Sequence, residues 1–152
     1  MKITDVLRAE HAVFHNLFDH IEAVLPGVRS LAEVKSLATI MEKLTGPHSR
    51  TEDELLIDPL ESIFDQIGHK ETFHQEHELI EATLAKTHKA RDLKSAKMYL
   101  LGAVVASRKH FDKEERIVFP MAERVLKAKS LSDLGETWLR RREVAGGKAS
   151  SK

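Results

Sequence analysis

Two phrases of the chain carry residue types that could do chemistry, His48-Ser-Arg-Thr-Glu52 and His110-Phe-Asp-Lys-Glu114. A histidine and a glutamate four residues apart lie one turn apart on the same face of a helix. Each phrase runs on through a second acid and an apolar stretch to a proline, from Asp53 to Pro59 in one and from Glu115 to Pro120 in the other. Upstream of each lies a shorter echo, Glu10-His11 and Glu76-His77. The order is therefore His, His-x-x-x-Glu, His, His-x-x-x-Glu, with 37 residues from His11 to His48 and 33 from His77 to His110. Four imidazoles and two carboxylates from four segments are what a two-metal site in a helix bundle requires.

The faces that carry these residues are otherwise apolar. Around His110 and Glu114 the stripe reads Tyr99, Ala103, Ala106, Ile117 and Met121; His11 lies among Leu7, Phe14 and Phe18, and His77 lines up with Phe73, Ile80 and Leu84. Carboxylates and imidazoles brought into one core are costly unless they pair or hold a cation. A pair of divalent ions would satisfy the whole set, with the carboxylates bridging and neutral imidazoles as end ligands. Zinc usually takes four ligands, often thiolates, and magnesium and calcium prefer oxygen alone. Mixed imidazole and carboxylate points to iron, with manganese the second choice.

Composition narrows the alternatives. Lys plus Arg and Asp plus Glu are equal at 24 each, so net charge favours neither nucleic acid nor an anionic membrane. Nine histidines and no cysteine leave imidazole as the only nitrogen or sulfur metal ligand in quantity, and exclude disulfides, iron–sulfur clusters and thiol nucleophiles. Neither a signal peptide nor an apolar run long enough to span a bilayer is evident, so a cytoplasmic protein is expected.

The elements that must position the site are helices. Glycine and proline number only 7 and 4, and apolar residues recur at three and four. Thr4 is the expected cap of a first helix reaching about Leu25, with Ile3, Leu7, Phe14, Phe18, Ile21 and Leu25 as its stripe. Ser30 caps a second, carrying Leu31, Val34, Leu37, Ile40, Met41 and Leu44; Gly46-Pro47 should kink or restart it just before His48. Pro59 should close or bend it again; after a break at Gly68 a third runs from about Lys70 to Lys89, and a fourth from about Leu93 to Lys127, bent or split near Pro120. The predicted fold is all-α, an antiparallel up-down four-helix bundle over residues 1–129. A short fifth helix over 130–144 would be plugged in by Trp138, and 145–152 would be a disordered tail. The two hairpins match in order, ligand type and near-length, which predicts a pseudo-two-fold site with one half from each.

The other histidines divide. His74, one turn before His77, is a candidate fifth imidazole, against a place just outside the ligands. His15 is expected to be peripheral, and His20, His69 and His88 to lie on the surface or in loops.

Over about residues 3–127 the chain resembles the haemerythrin-like, or HHE cation-binding, domains. The resemblance rests on Glu10-His11, His48-x-x-x-Glu52 with Asp53, His74-x-Glu76-His77, and His110-x-x-x-Glu114 with Glu115 and Val118-Phe119-Pro120. It implies a four-helix bundle holding a non-haem di-iron centre, bridged by two carboxylates and an oxo or hydroxo group. His11, His48, His77 and His110 would then be end ligands, with Glu52 and Glu114 the bridges. The oxygen-carrying members pair two histidines four apart on the third helix and close with an aspartate five after the last histidine. Here Phe73 stands four before His77, and Glu114 four after His110, so the pattern is more similar to the broader bacterial group.

The partner implied is a small diatomic ligand or peroxide, with no nucleic acid and no membrane. Two functions stay open: a protective protein whose open centre reacts with peroxide, nitric oxide or oxygen, and a non-catalytic module for oxygen or iron sensing or iron handling. Gly102, Ala103 and Ala106 leave the turns before His110 short of side-chain volume, which suits a small pocket. The basic run Arg140-Arg141-Arg142 would be the docking surface of a sensing module.

Overall fold

The apolar period of three and four is realised as helices throughout the part of the chain that the computed structural model describes, residues 1–60 and 70–147. We label them α1 (Ile3–Val24), α2 (Leu31–Glu52), α3 (Lys70–Lys89), α4 (Leu93–Lys113), α5 (Phe119–Val125) and α6 (Ala128–Gly147). Helices α1 to α4 pack in a ring in which consecutive helices are neighbours and α4 returns to α1, while α6 lies against α1. This is the expected all-α bundle with a further C-terminal helix. The break placed at Gly68, His69 and the tail from residue 148 lie outside the described residues; residues 145–147, expected in that tail, belong to α6.

Local chemistry accounts for most of the boundaries. Ser30 Oγ accepts the Glu33 N–H at 3.2 Å while Glu33 accepts the Ser30 N–H at 3.1 Å, a reciprocal cap for α2. Asp92 accepts the Ser95 N–H at 2.8 Å and opens α4. Thr4 is not the cap of α1. That helix starts at Ile3, with Asp5 accepting the Lys2 N–H at 3.2 Å, and Thr4 is buried, its hydroxyl donating to Glu123 of α5 at 2.7 Å. Gly46-Pro47 does not restart α2, which runs as one element to Glu52. Of the α2 stripe, Ile40 and Leu44 face solvent, and Ala38 and Thr45 are buried instead.

Both ligand phrases end in the same irregularity. A single π-helical turn follows each, Asp53–Ile57 after Glu52 and Glu114–Val118 beginning at Glu114. The widened turn closes with Asp58 N–H donating to the Asp53 carbonyl and Phe119 N–H to the Glu114 carbonyl. In each case the next residue is a proline, Pro59 or Pro120. A proline ring presses on the carbonyl four residues back and lacks the N–H to bond it, so the turn before it opens. Each proline thus stands just past a widened turn, the one that follows Glu52 or the one that begins at Glu114.

The apolar interior is split in two by a polar layer. One cluster gathers Phe14 to Ile21 of α1 with Leu25 just beyond it, Val34 to Met41 of α2, Ile80 and Leu84 of α3 and Ala96 to Phe111 of α4. The other holds Ile3 to Leu7, Leu55 to Leu60, Phe73, Val118, Phe119 and Ala122, with Leu131 and Trp138 of α6. Along each of α1 to α4 the buried histidine lies at the boundary of the two clusters. Helix α6 reaches the second cluster because residue 135 is glycine: a Cβ there would run into the Met1 carbonyl and the Ile3 amide.

Candidate metal centre

His11, His48, Glu52 and Glu114 are 0 % exposed, and His77 and His110 no more than 5 %. The fold therefore brings six of the seven candidate ligands into one dry layer. Donor atoms of Glu52, His77, His110 and Glu114 all lie within 4.8 Å of one another, and so do those of His11, His48 and Glu52. Glu52 belongs to both sets. Glu114 faces both as well, with Oε1 2.7 Å from His110 Nε2 and Oε2 3.5 Å from His11 Nε2.

Each imidazole is oriented by a carboxylate on its outer nitrogen. His48 Nδ1 meets Glu10 at 2.8 Å and His110 Nδ1 meets Glu76 at 2.8 Å. His11 Nδ1 meets Glu115 at 3.0 Å and His77 Nδ1 meets Asp53 at 3.1 Å. The pattern is two-fold. The acid before each first histidine serves the second histidine of its own hairpin, and the acid after each ligand glutamate serves the first histidine of the other. A carboxylate can only accept, so each Nδ1 carries a proton, and in the neutral ring each Nε2 then presents a bare lone pair.

That tautomer makes the centre a problem for a protein alone. His77 and His110 bring Nε2 to Nε2 at 2.6 Å, and His11 and His48 do so at 3.2 Å. Both carboxylate oxygens of Glu52 and of Glu114 are buried with no hydrogen bond. Burial, followed by the charge of Glu114, pushes the Glu52 carboxyl well above the usual range, and burial takes Glu114 up to about 8. Burial pushes His11 down to about 2 and also lowers His48, so neither imidazole supplies a compensating positive charge. Converging lone pairs with no donor are what a cation satisfies, and the donor set of four imidazole nitrogens and two carboxylates fits a metal bound by mixed nitrogen and oxygen ligands.

The outer carboxylates are themselves held. Burial pushes Glu10 up, yet hydrogen bonds from His48, Arg142 and Trp138 outweigh it and bring the carboxyl down to about 2. Trp138 Nε1 donates to Glu10 at 3.0 Å, and Arg142 grips both oxygens at 3.0 and 2.8 Å. Trp138 is thus more than the hydrophobic plug expected from the sequence. Glu76 is likewise raised by burial but lowered overall by His110 and Lys113, whose Nζ lies 2.9 Å away.

His74 is not brought into the layer. It is partly exposed, with its nitrogens 3.3 Å from Asp53 and 3.4 Å from Asp58 on the outer side of the π turn. Its place one turn from His77 made it look like a ligand, but that turn carries it past the layer. His15 is peripheral and meets Arg108 at 3.1 Å; His20 is exposed, and His88 is partly buried and pairs with Glu42. Arg140, Arg141 and Arg142 meet Thr137, Glu54 and Glu10 within the molecule. A pocket of about 330 Å³ between α3 and α4 is lined by Glu76, Gly102, Ala106 and His110, and so lies against the outer side of His110; Ala103 is instead packed in the core.

No helix among the described residues is long and apolar enough to cross a membrane. No protein of curated function and no solved structure matches the chain. One family model does match, the Hemerythrin HHE cation binding domain, over residues 2–122. That span contains all six residues of the buried layer and the carboxylates behind them, and it stops short of α6. The chain is a member of the haemerythrin HHE cation-binding family.

Proposed function

We propose that the chain is a non-haem di-iron protein that binds or reacts with a small ligand, peroxide, nitric oxide or oxygen, in a protective role. The observation that carries this reading is the convergence of four Nε2 lone pairs and two unpartnered carboxylates in one dry layer. His77 and His110 would hold one ion and His11 and His48 the other, with Glu52 and Glu114 shared between them. When bound, iron supplies an open coordination position and a change of oxidation state. Glu10, Glu76, Asp53 and Glu115 fix the ring orientations and keep the protons on Nδ1, and the two apolar clusters exclude bulk water. Only two imidazoles face each ion, which leaves positions for a ligand from outside.

The test is direct. Protein purified in air should carry about two irons per chain, with oxo-to-iron charge-transfer bands in the near-ultraviolet and visible spectrum. His110→Ala should lose about one of the two irons and, with the pair broken, those bands. Added peroxide should be consumed by the wild type with release of oxygen if the centre turns over, and should only alter the spectrum if it binds without turnover. Zinc in place of iron, or no metal, would overturn the reading.

A further inference from the structure

Four hydroxyl side chains are buried among the described residues, and three have partners. Thr4 donates to Glu123, Thr45 to the Met41 carbonyl and Thr87 to the Thr83 carbonyl. Ser107, 1 % exposed, has none. Helical hydroxyls in this protein usually bond the carbonyl four residues back, as Thr39, Thr51, Thr83 and Thr137 also do. Ser107 forgoes even that bond, and an unpaired buried hydroxyl is a cost to the fold.

Its position suggests what the hydroxyl is for. Ser107 lies three residues before His110 and on the same inward face of α4 as His110 and Glu114. The equivalent position in the first hairpin is Thr45, three before His48, and the matching residues on α1 and α3 are Phe14 and Ile80. In an up-down bundle these four form the layer next to the imidazoles, on the side of the cluster that contains Phe14, Ile80 and Ala103. That layer is closed over one end of the centre. Phe111 stacks on His11 at 4.0 Å and Phe14 sets its edge against His48 at 5.0 Å. At the His77–His110 end that layer holds Ile80 and the free hydroxyl, and among the described residues no ring but His77 comes closer than 6.0 Å to His110.

We propose that Ser107 is the hydrogen-bond donor to a small anionic or polar diatomic ligand held at the His77–His110 end of the centre. This rests on the metal reading above and deepens it by assigning the end that accepts the ligand and the group that recognises it. A hydroxyl in a dry layer has no competing water, so it favours a ligand whose outer atom carries negative charge, such as azide or peroxide, over one whose outer atom does not.

Iron-loaded wild type, Ser107→Ala and Thr45→Val are compared by titration with azide. Ser107→Ala should raise the azide dissociation constant about five- to tenfold at equal iron content, the effect of one hydrogen bond. It should also abolish the shift of the azide stretching frequency between H2O and D2O. Thr45→Val, whose hydroxyl is already committed to the backbone, should bind azide like the wild type. The metal-free Ser107→Ala protein should melt no lower than the wild type, since it loses an unpaired hydroxyl, and this separates a lost contact from a damaged fold. Equal azide binding by wild type and Ser107→Ala, both loaded with iron, would sink this proposal and leave the metal reading standing. Equal weakening by Ser107→Ala and Thr45→Val would also overturn it, as a packing effect. A wild type that takes up no iron would remove both.

Discussion

The His11–His48 half and the His77–His110 half carry the same ligands on the same helical spacing, with a carboxylate behind every ring, but their surroundings differ. The first half is walled by Phe14, Phe111, Phe119 and Trp138, and its carboxylate Glu10 is gripped by two residues of α6. The second is bounded by Ile80, Ser107 and Phe73, and Glu76 is steadied by Lys113 of α4. A pocket reaches the outer side of His110, with Ala106 and Gly102 in its wall. The ligands are thus repeated while the walls have diverged. Ligand type decides which ions fit; the walls decide which end a small molecule can approach.

The shared carboxylate should give the largest effect. Glu52 contributes to both donor sets, whereas His11 contributes to one. Glu52→Ala should therefore leave less than about half an ion per chain, because each remaining set lacks a ligand it cannot replace. His11→Ala should retain about one. Metal analysis after gel filtration decides the matter. If both variants lose everything, the halves load as a single unit and the comparison between them does not extend to binding.

Next in size is the grip on the outer carboxylates. Arg142→Met removes a bidentate guanidinium from Glu10 and leaves that carboxylate partly buried with only Trp138 and His48, whereas Lys113→Met removes a single point contact from Glu76. The first should weaken retention of one ion about 10- to 100-fold and lower stability by about 1–3 kcal/mol. The second should weaken the other ion by less. Chelator competition on the two variants, with thermal melts of the metal-free proteins, checks both. Equal effects would mean that α6 is not specific to the first half.

What could be read from the sequence follows from range. The helix period puts His48 with Glu52 and His110 with Glu114 on one face, and the repetition of that phrase marks two hairpins, so the ligand layer was legible from local spacing. The acid adjoining each ligand was visible too, as Glu10, Asp53, Glu76 and Glu115, but which histidine each one meets depends on how the helices pack. Trp138 and Arg142 lie more than 120 residues from Glu10 and give no local sign of their role. His74 shows the opposite case. It is close in sequence and of the right type, yet Asp53 and Asp58 hold it outside the layer. Thr4 is similar, because its neighbourhood reads as a cap while a carboxylate of α5, far along the chain, claims its hydroxyl. The π turns could be anticipated only as bends, from Pro59 and Pro120; their register relative to the glutamates is a property of the folded turn.

The smallest effect expected is kinetic, and it tests whether the pocket beside His110 is the way in. Ala106 is partly buried on the wall of the pocket that touches His110, and it makes no hydrogen bond that a larger side chain would break. Leucine there keeps helix propensity and fills part of about 330 Å³ of space on the outer side of His110, away from its Nε2. Ala106→Leu should keep its full complement of iron and its melting temperature to within a few degrees, while azide or peroxide arrives about three- to tenfold more slowly in stopped-flow mixing. Because the change sits on the path and not at the centre, the association and dissociation rates should fall together and the affinity should stay nearly constant. Unchanged rates would mean that small ligands do not pass between α3 and α4. Passage would then have to be sought elsewhere, as in the groove between α2 and α3 that reaches the buried Thr45 or in the apolar pocket of about 600 Å³ against Glu10 and Phe14.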